Sequence, residues 1–514
     1  MARVHEGFRL PSMPRALTAT ILPLLAALLL PPGAAAAAEA TTTQWVPTPR
    51  ATRLPISATN RPFLAADRSL SPVDLAAGGY VEEEILLSGR SSLYDWGPAP
   101  RSPAVVKGKG EAWTTRMLLR RPADAGKFSG RVVLEVLNAA DAYDVAPLWG
   151  LSHAQFMRAG DAWVGLTVRP SALRTLQAFD SVRYATVKLP LPEALECQPS
   201  PDAEGGLAWD LIGQAGALLR SASRENPLSS LHPQRIIAAG YGEAGSYVVS
   251  YANAMHARWR LVGGAPVFDG YLDMAGTRAL PLHPCATALA DNDPRSGVLP
   301  RDVPFVVVMT QTELGRVLPV RRASSDARRD NFRYYELAGA SRAGPWPAGR
   351  PGQTDLLIAG VEPPSADLCR EVPGDYPAGL ALNAVWKQYD ALLTAGEAMI
   401  QTPRIEAGAN GAPLLDTHGN VRGGWRLPQV DVPLASYGVH STPAVDSDIA
   451  RSTCAQTGSV RDLSQAQLRQ MYRDRSGYLK RFNESVDAAV EGHRLLAEDV
   501  PALKNPSVRK LPAF

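Results

Sequence analysis

The sequence has little excess charge of either sign and few long apolar runs. Lys and Arg number 53 against 50 Asp and Glu, which gives a formal net charge of +3. This balance argues against nucleic acid as the main partner, because nucleic-acid-binding surfaces concentrate positive charge. Apolar residues make up 45% and charged residues 20%, which suits a packed interior and excludes wholesale disorder. Beyond residue 40 no stretch is long and apolar enough to cross a membrane.

The sequence also lacks a CxxC pair and any cysteine–histidine spacing that is typical of a zinc site. Its four cysteines lie far apart, which favours one or two disulfides in an oxidising compartment, with buried free thiols as the alternative. Four cysteines allow three complete pairings, and their spacing does not choose among them. We expect neither a metal nor a cofactor. The four are Cys197, Cys285, Cys369 and Cys454.

The first forty residues have the layout of a secretory signal. Three arginines precede an uncharged run at residues 16–30, and small residues follow at 33–38. The run contains Pro23 and is shorter than the roughly 20 residues that a membrane span needs. We therefore predict a signal peptide at residues 1–38 and export of the mature chain to the periplasm or the extracellular space.

The rest of the chain predicts one elaborated α/β domain. Residues 39–78 are predicted to be an irregular N-terminal segment, and residues 79–514 alternate between strand-like and helix-like stretches. Such alternation predicts a mostly parallel sheet with helices on both faces. The Pro-, Asp- and Gly-rich stretches 270–302 and 343–377 are predicted to be insertions above the carboxyl ends of the strands. The predicted strands are 80–87, 112–119, 131–137, 162–168, 235–239, 261–268, 303–309 and 333–337.

A glycine-rich turn in residues 235–256 follows a buried strand and opens a helix. Gly240, Gly242 and Gly245 spell G-x-G-x-x-G, the fingerprint of a dinucleotide-binding turn. The next acidic candidate, Asp269, comes later than the usual separation of about 20 residues. The turn also follows several strands, whereas this fingerprint normally opens its domain. A dinucleotide-dependent reductase is therefore the weakest of the alternatives.

The same turn has the layout of a nucleophile elbow, strand–G-x-S-x-G–helix, which lifts a serine above the edge of the sheet. With Gly240 as the first glycine, the nucleophile position falls on Gly242, which has no side chain. Ser246 lies four residues further on, one turn into the helix. Its favoured interpretation is a packing serine, because it cannot replace an elbow residue without a backbone shift.

The helix after this turn carries Y-x-N-A-x-H, with Tyr251, Asn253, Ala254 and His256 in register. Turn and helix together resemble a family of large exported α/β-hydrolase-domain proteins, esterases or related hydrolases, in which G-Y-S-Q-T-G or a similar motif precedes that helix. The resemblance covers roughly residues 80–500 and implies an α/β-hydrolase fold and a small-molecule ligand such as an ester or similar carbonyl compound. Other segments that carry it are 148–170, 205–219, 267–272, 333–341 and 419–437.

The resemblance also implies where a catalytic triad would stand, in the chain order serine, acid, histidine. The acid position after the seventh predicted strand is Glu313, whose alternative role is that of an ordinary loop glutamate. At the base position, where family members have A-G-A-x-H, this chain has Arg342. An arginine stays protonated and cannot accept the proton of a nucleophile. No histidine lies between His283 and His418, so the triad is predicted to be degenerate at Gly242 and Arg342.

The donors of an oxyanion hole are expected to remain. They are the backbone N–H of Glu243 and one N–H from the loop at Asn138 and Ala139. Glu243 stands where the family has a neutral glutamine, and we predict that it forms an ion pair with Arg342.

Three functions follow from these residues. The leading hypothesis is an exported hydrolase-family protein with lost or strongly reduced activity, which retains a pocket for ligand binding. The second is an active ester, lactone or amide hydrolase that uses displaced residues, either Ser246 with His440 or a water activated by Glu243. The third is the dinucleotide-dependent reductase.

Overall fold

Runs of apolar and β-branched residues build the strands of a large central sheet. The computed structural model describes residues 44–200 and 203–504, so the predicted signal peptide lies outside the described residues. The strands are β1 (Gln44–Trp45), β2 (Arg50–Leu54), β3 (Tyr80–Asp95), β4 (Val105–Pro122), β5 (Arg131–Val136), β6 (Ala162–Leu166), β7 (Arg235–Tyr241), β8 (Trp259–Arg260), β9 (Gly270–Met274), β10 (Phe305–Thr310), β11 (Ser325–Ala327), β12 (Asp330–Leu337), β13 (Ala435–Gly438) and β14 (Ser459–Asp462).

Helices connect and cover these strands. They are α1 (Pro147–Ala159), α2 (Pro170–Phe179), α3 (Ala208–Arg220), α4 (Glu243–Ala254), α5 (Leu314–Val317), α6 (Gln353–Ile358), α7 (Ala378–Ala395), α8 (Pro428–Asp431), α9 (Asp448–Cys454), α10 (Gln465–Tyr472), α11 (Arg475–Glu491) and α12 (Val500–Lys504). Within the described ranges, no helix combines the length and apolar character that a bilayer span requires.

The central sheet has ten strands in the order β11-β12-β10-β9-β7-β5-β6-β4-β3-β2. The six strands from β12 to β6 run parallel to one another, whereas β4, β3 and β2 are antiparallel on one side and β11 on the other. The carboxyl ends of β7, β10 and β12 therefore meet at one edge of the sheet. The predicted mostly parallel sheet is confirmed.

Both faces of the sheet are buried, and alternate residues of each strand enter different cores. Val132 and Leu134 of β5 pack with residues of α3 and α4, whereas Val133 packs with residues of α1 and α7. A parallel strand that is covered on both faces needs apolar residues at consecutive positions, which is why β5 and β10 read as nearly continuous apolar runs.

The predicted strand at 261–268 is wrong, and so is the assignment of residues 270–274 to an insertion. The chain turns at Gly263 and Gly264, where φ is +92° and +85°, and the central strand β9 begins only at Gly270. The apolar residues around Pro266 favoured a strand prediction there. The true strand, β9, was predicted as a loop because it contains the buried Asp273. The antiparallel strand β2 lies within the segment 39–78 that was predicted to be irregular.

Two disulfides resolve the pairing that the sequence left open. Cys197 is bonded to Cys285 and Cys369 to Cys454, across 88 and 85 residues of sequence. Both bonds join surface excursions rather than strands of the sheet. Loops this long gain stability from a cross-link chiefly because it restricts the unfolded chain.

A buried ion network holds the loop after β5 against the sheet. The Arg116 guanidinium is fully buried and donates from Nη2 to Asp144 Oδ2 at 2.6 Å. Glu84, also fully buried, accepts from Arg183 Nε at 2.5 Å and from the Tyr184 hydroxyl at 2.7 Å. Asp144 belongs to the loop that begins at Asn138 and contacts the turn at Gly242. The network therefore positions this loop.

Removal of Asp144 should strongly destabilise the protein, because Arg116 would keep a buried charge without its nearest partner. We expect Asp144→Ala to lower the free energy of unfolding by about 3–5 kcal/mol in urea titrations followed by tryptophan fluorescence. The matched control is Asp446→Ala, whose carboxylate is 95% exposed and pairs with Arg451; it should cost less than about 1 kcal/mol. Equal effects of the two changes would contradict a structural role for the buried pair.

Candidate active site

The turn between β7 and α4 has the geometry of a nucleophile elbow. Gly242 stands between the last strand residue, Tyr241, and the first helical residue, Glu243, with φ +62° and ψ −123°. This conformation is costly for residues with a Cβ and free for glycine. A Cβ on Gly240 would also meet the backbone carbonyl of Ala244 at 2.3 Å, so the strand and helix approach closely here. The predicted strand–turn–helix is present without a nucleophile at its tip.

Arg342 fills the space where a nucleophile's side chain would begin. A Cβ built on Gly242 would lie 2.8 Å from Arg342 Nη2 and 3.1 Å from Asn138 Nδ2. The other guanidinium nitrogen, Nη1, lies 3.4 Å from Glu313 Oε1. The structure therefore brings together Gly242, Asn138, Glu313 and Arg342, four of the residues that the sequence placed at this site.

Glu313 sits in the turn after β10 as a buried carboxylate. Its side chain is 1% exposed, and Oε2 accepts hydrogen bonds from the backbone N–H of Thr310, at 3.2 Å, and from the Thr310 hydroxyl. Burial raises the pKa of Glu313, and the Arg342 guanidinium opposes that rise. Glu313 is thus a buried, partnered acid at the acid position and not a solvated loop residue.

The backbone of Arg342 is fixed on both sides. Its N–H donates to Thr312 Oγ1 at 3.1 Å, and its carbonyl accepts from the Tyr241 hydroxyl at 2.6 Å. These bonds tie the turn after β12 to the turn after β10 and to the strand that leads into the elbow. These backbone hydrogen bonds and the contact with Glu313 together position the Arg342 guanidinium at the elbow.

The loop after β5 approaches the elbow from the other side. Asn138 Nδ2 donates to the carbonyl of Tyr241 at 2.8 Å. The N–H of Asn138 donates to Val145 and that of Ala140 to the Asn138 side chain. Of the two loop residues that the sequence singled out, Asn138 has its N–H bonded, whereas the N–H of Ala139 has no acceptor among the described residues.

The predicted ion pair between Glu243 and Arg342 is wrong. Arg169 precedes α2, and its Nη1 lies 3.2 Å from Glu243 Oε1. The same nitrogen donates to the Tyr247 hydroxyl at 3.3 Å. Arg342 pairs with Glu313 instead. The sequence could not show this, because Arg169 follows β6, which is separated from the elbow by a long stretch of chain.

The displaced residues of the second hypothesis have other contacts. Ser246 is 4% exposed, and its Oγ accepts from the N–H of Thr277 at 3.3 Å, which fits a packing serine. The C-terminal segment does return to the turn after β10, where Thr312 Oγ1 donates to the carbonyl of Val439 at 3.4 Å. His440 itself is exposed and donates from Nδ1 to the carbonyl of Ala455 at 2.7 Å.

Sequence reasoning missed Asp273, which lies on β9 behind the elbow. The side chain is 2% exposed and accepts from the N–H of Gly276 at 2.9 Å. The pKa of Asp273 is raised to about 7, chiefly by burial; Glu313 adds to the rise, while the hydrogen bond from Gly276 and the charge of Arg342 oppose it. A Cβ on Gly245 or on Gly276 would collide with its carboxyl group. Because only glycine leaves room for the Asp273 carboxyl group at these two positions, Gly245 and Gly276 were the features of the sequence that indicated a buried group here.

A shallow pocket adjoins the base turn, which is the turn after β12 that carries Arg342; its empty space is about 320 Å³ when the open solvent at its mouth is included. Tyr241, Ser341, Trp346 and Tyr376 line it with apolar residues of α1 and α7. The indole N–H of Trp346 is buried and has no hydrogen-bond partner among the described residues. Nowhere in the part of the chain that the structure describes are three or more His, Cys, Asp or Glu side chains grouped to hold a metal ion.

Comparison with known proteins agrees with this geometry. A family model described as alpha/beta hydrolase domain matches residues 46–505. No curated protein matches the chain. The family assignment and the α/β-hydrolase fold rest on the family model and on the order of strands, elbow and turns.

Solved structures with weak similarity include three hydrolases. A thermostable esterase from Pseudomonas putida ECU1011 shares 12% identity, with 64% of this chain and 86% of that chain covered and a TM-score of 0.28. A lipase/esterase from Lactobacillus plantarum shares 13%, with coverage of 43% and 85% and a TM-score of 0.26. A dienelactone hydrolase from Anabaena variabilis ATCC 29413 shares 9%, with coverage of 53% and 94% and a TM-score of 0.26.

Addition of a single methyl group at the elbow should be destabilising. Gly242→Ala combines a left-handed φ with a Cβ that would press on Arg342, so we expect a loss of about 1–3 kcal/mol in the free energy of unfolding. Gly264→Ala is the matched control, since its φ is +85° and nothing lies within 4 Å of the added Cβ. The loss should exceed that of the control and shrink when Arg342→Ala is added. Equal losses in both glycine variants would show that Arg342 does not occupy the elbow.

Stability should fall as the pH rises through the range in which Asp273 ionises. Its carboxyl group stays neutral in the folded protein up to about pH 7 but ionises near pH 4 in an unfolded chain. The unfolded state therefore binds fewer protons between these values, and the free energy of unfolding declines across them. Asp273→Asn, which can still accept from Gly276, should reduce the decline measured in urea between pH 5 and 8. The exposed control Asp487→Asn should keep the wild-type slope, and an unchanged slope in Asp273→Asn would contradict the assignment.

Proposed function

The chain belongs to the alpha/beta hydrolase domain family, and we propose that it is a member with lost or strongly reduced hydrolase activity that retains a pocket for ligand binding. The observation that carries the proposal is the guanidinium of Arg342 against the bare backbone of Gly242. Gly242 carries no hydroxyl to attack a carbonyl carbon, and among the described residues no imidazole contacts Glu313 to accept a proton.

The chemistry of the two replaced positions is incompatible with the family's mechanism. Acyl transfer needs a nucleophile that a neighbouring base deprotonates. Gly242 supplies no nucleophile, and Arg342 cannot act as a base, because its guanidinium remains protonated at any physiological pH. Loss of a triad member can reduce turnover by about a million-fold. What remains is a cation and two candidate oxyanion donors, which can hold a carbonyl compound without cleaving it.

The proposed ligand is an ester or a similar carbonyl compound. A carbonyl oxygen above the elbow would meet hydrogen-bond donors, the N–H groups of Glu243 and Ala139, and the positive charge of Arg342. The pocket beside the base turn offers aromatic walls in Tyr241, Trp346 and Tyr376, and the buried Trp346 N–H is an additional donor. These groups support binding and orientation.

We also propose that the protein is exported. Two disulfides in one chain suit an oxidising compartment. Residues 1–38 have the sequence layout of a secretory signal peptide, which would direct export.

Ester hydrolysis by four forms of the protein tests the proposal. Purified wild type, Gly242→Ser, Arg342→His and the double variant are assayed with short p-nitrophenyl esters. We expect wild type and both single variants to be silent, because each lacks a nucleophile, a base or both, and in Gly242→Ser the new Cβ also meets Arg342. The double variant removes that contact and restores the chemical pair, so we expect its rate to exceed that of wild type by about 10²-fold or more.

The outcomes separate the alternatives. Wild-type turnover that persists in Ser246→Ala, His440→Ala and Glu243→Gln, and equally in a pocket variant such as Trp346→Ala, would be a contaminant. Turnover abolished by Ser246→Ala, by His440→Ala or by Glu243→Gln would establish the displaced hydrolase and overturn the proposal. Circular dichroism of each variant controls for folding.

A further inference from the structure

The Arg342 guanidinium uses only one of its three nitrogens to bond with the protein. Nη1 lies 3.4 Å from Glu313 Oε1, whereas Nε and Nη2 have no acceptor among the described residues. Both of these nitrogens remain accessible to water, and the side chain is 18% exposed. Arg342 therefore presents a free edge at the elbow.

This free edge has the geometry that recognises a carboxylate. Nε and Nη2 of an arginine donate two parallel hydrogen bonds to the two oxygens of a carboxylate. Nη2 lies 2.8 Å from the position that a Cβ on Gly242 would take, which is where the side chain of a nucleophile begins in a working elbow. A carboxylate on this edge would therefore lie beside the elbow, near the point at which an acyl group meets the nucleophile of a serine hydrolase.

A second arginine near the elbow also lacks a carboxylate partner. Arg350 follows the base turn, and its Cζ lies 4.1 Å from the centre of the Trp346 ring. Among the described residues, no ion pair or hydrogen bond engages its guanidinium. Burial raises the pKa of Tyr143 and of Tyr241, and the Arg350 charge opposes both rises. The positive charge of Arg350 therefore reaches both the loop after β5 and the strand that leads into the elbow.

The carboxylates of the protein that surround the elbow do not occupy the free edge. Glu313 pairs with Nη1 of Arg342, and Glu243 pairs with Arg169 at 3.2 Å. Asp141, in the loop after β5, is exposed. A partly buried cation is stabilised most by an anion that bonds to it directly, so the free edge of Arg342 favours an anion from outside the chain.

We infer that the elbow binds a carboxylate, which Nε and Nη2 of Arg342 hold through two parallel hydrogen bonds. The inference rests on the proposed function, since it specifies the carbonyl compound that an inactive elbow would retain. A carboxylate accepts at both oxygens and carries a negative charge, whereas an ester or an amide has one good acceptor and no charge. The site is an open edge and not a cavity, so a small anion reaches it without filling enclosed space.

The test compares trifluoroacetate with trifluoroacetamide, which have nearly the same shape and differ in charge. Binding to the full protein is followed by fluorine NMR relaxation at constant ionic strength. We expect trifluoroacetate to bind with a dissociation constant of about 1–10 mM, as its few heavy atoms allow. Trifluoroacetamide should bind at least about tenfold more weakly. Acetate should displace trifluoroacetate, whereas acetamide should not.

Three variants locate the binding. Arg342→Gln removes both the charge and the paired donors, so it should weaken trifluoroacetate binding at least about tenfold. Arg342→Lys keeps the charge without the paired donors and should weaken binding about three- to tenfold. Arg350→Gln removes only a charge that acts at a distance, and we expect a loss of about two- to threefold. The matched control, Arg224→Gln, changes an exposed arginine in the segment after α3 and should bind as wild type does.

Three results would overturn the inference: equal binding of the two probes, undiminished binding by Arg342→Gln or by Arg342→Lys, or no binding by wild type up to about 50 mM, a concentration well above the expected dissociation constant. Circular dichroism shows whether each variant is folded. Turnover is not part of these readouts, so the two proposals fail separately. An active wild type with Arg342-dependent binding of trifluoroacetate would refute only the loss of activity, and a silent wild type that binds both probes equally would refute only the carboxylate site.

Discussion

The sharp turn at Gly242 is the constraint on which the candidate site depends. A left-handed φ lets β7 reverse into α4 while the backbone of Gly240 touches the first helical turn. This approach packs the helix on the sheet whether or not residue 242 carries a hydroxyl. Glycine accepts the conformation without the strain that a serine would store there. The geometry of the elbow therefore does not require a hydroxyl at residue 242, and the turns after β10 and β12 lie around it.

Charge balance explains why an arginine is compatible with the base position. Glu313 is almost fully buried, and a buried carboxylate needs hydrogen bonds or a counter-charge. In a working triad a histidine would orient toward this acid and shuttle a proton. Here Thr310 supplies two hydrogen bonds and Arg342 supplies a permanent positive charge. The arrangement satisfies the acid with a group that cannot accept a proton, so the same residue stabilises Glu313 and occupies the base position.

The sequence predicted the elbow from its strand–glycine–helix pattern, and the family resemblance implied the positions of Glu313 and Arg342. Parallel strands then bring these turns to one edge of the sheet. It did not predict contacts that depend on distant segments. Arg169 reaches Glu243 only because α2 begins beside α4, and the cysteine pairs join excursions whose paths have no local signature. Asp273 was missed for a different reason, since a charged residue inside a central strand contradicts the apolar pattern by which such strands are recognised.

Asp273, on the face of the sheet that α4 covers, is coupled electrostatically to Glu313 and Arg342 at the elbow. It lies on the strand next to β7, close enough for Glu313 to raise its pKa and for Arg342 to lower it. Linkage is reciprocal, so a change in charge at the elbow alters the protonation of Asp273, and the protonation of Asp273 alters the electrostatic potential at the elbow. An arginine at position 342 holds its charge at all physiological pH values, whereas a histidine would titrate in the same range as Asp273. The replacement therefore removes one of two coupled titrations, and Asp273, whose pKa is raised to about 7, keeps its own.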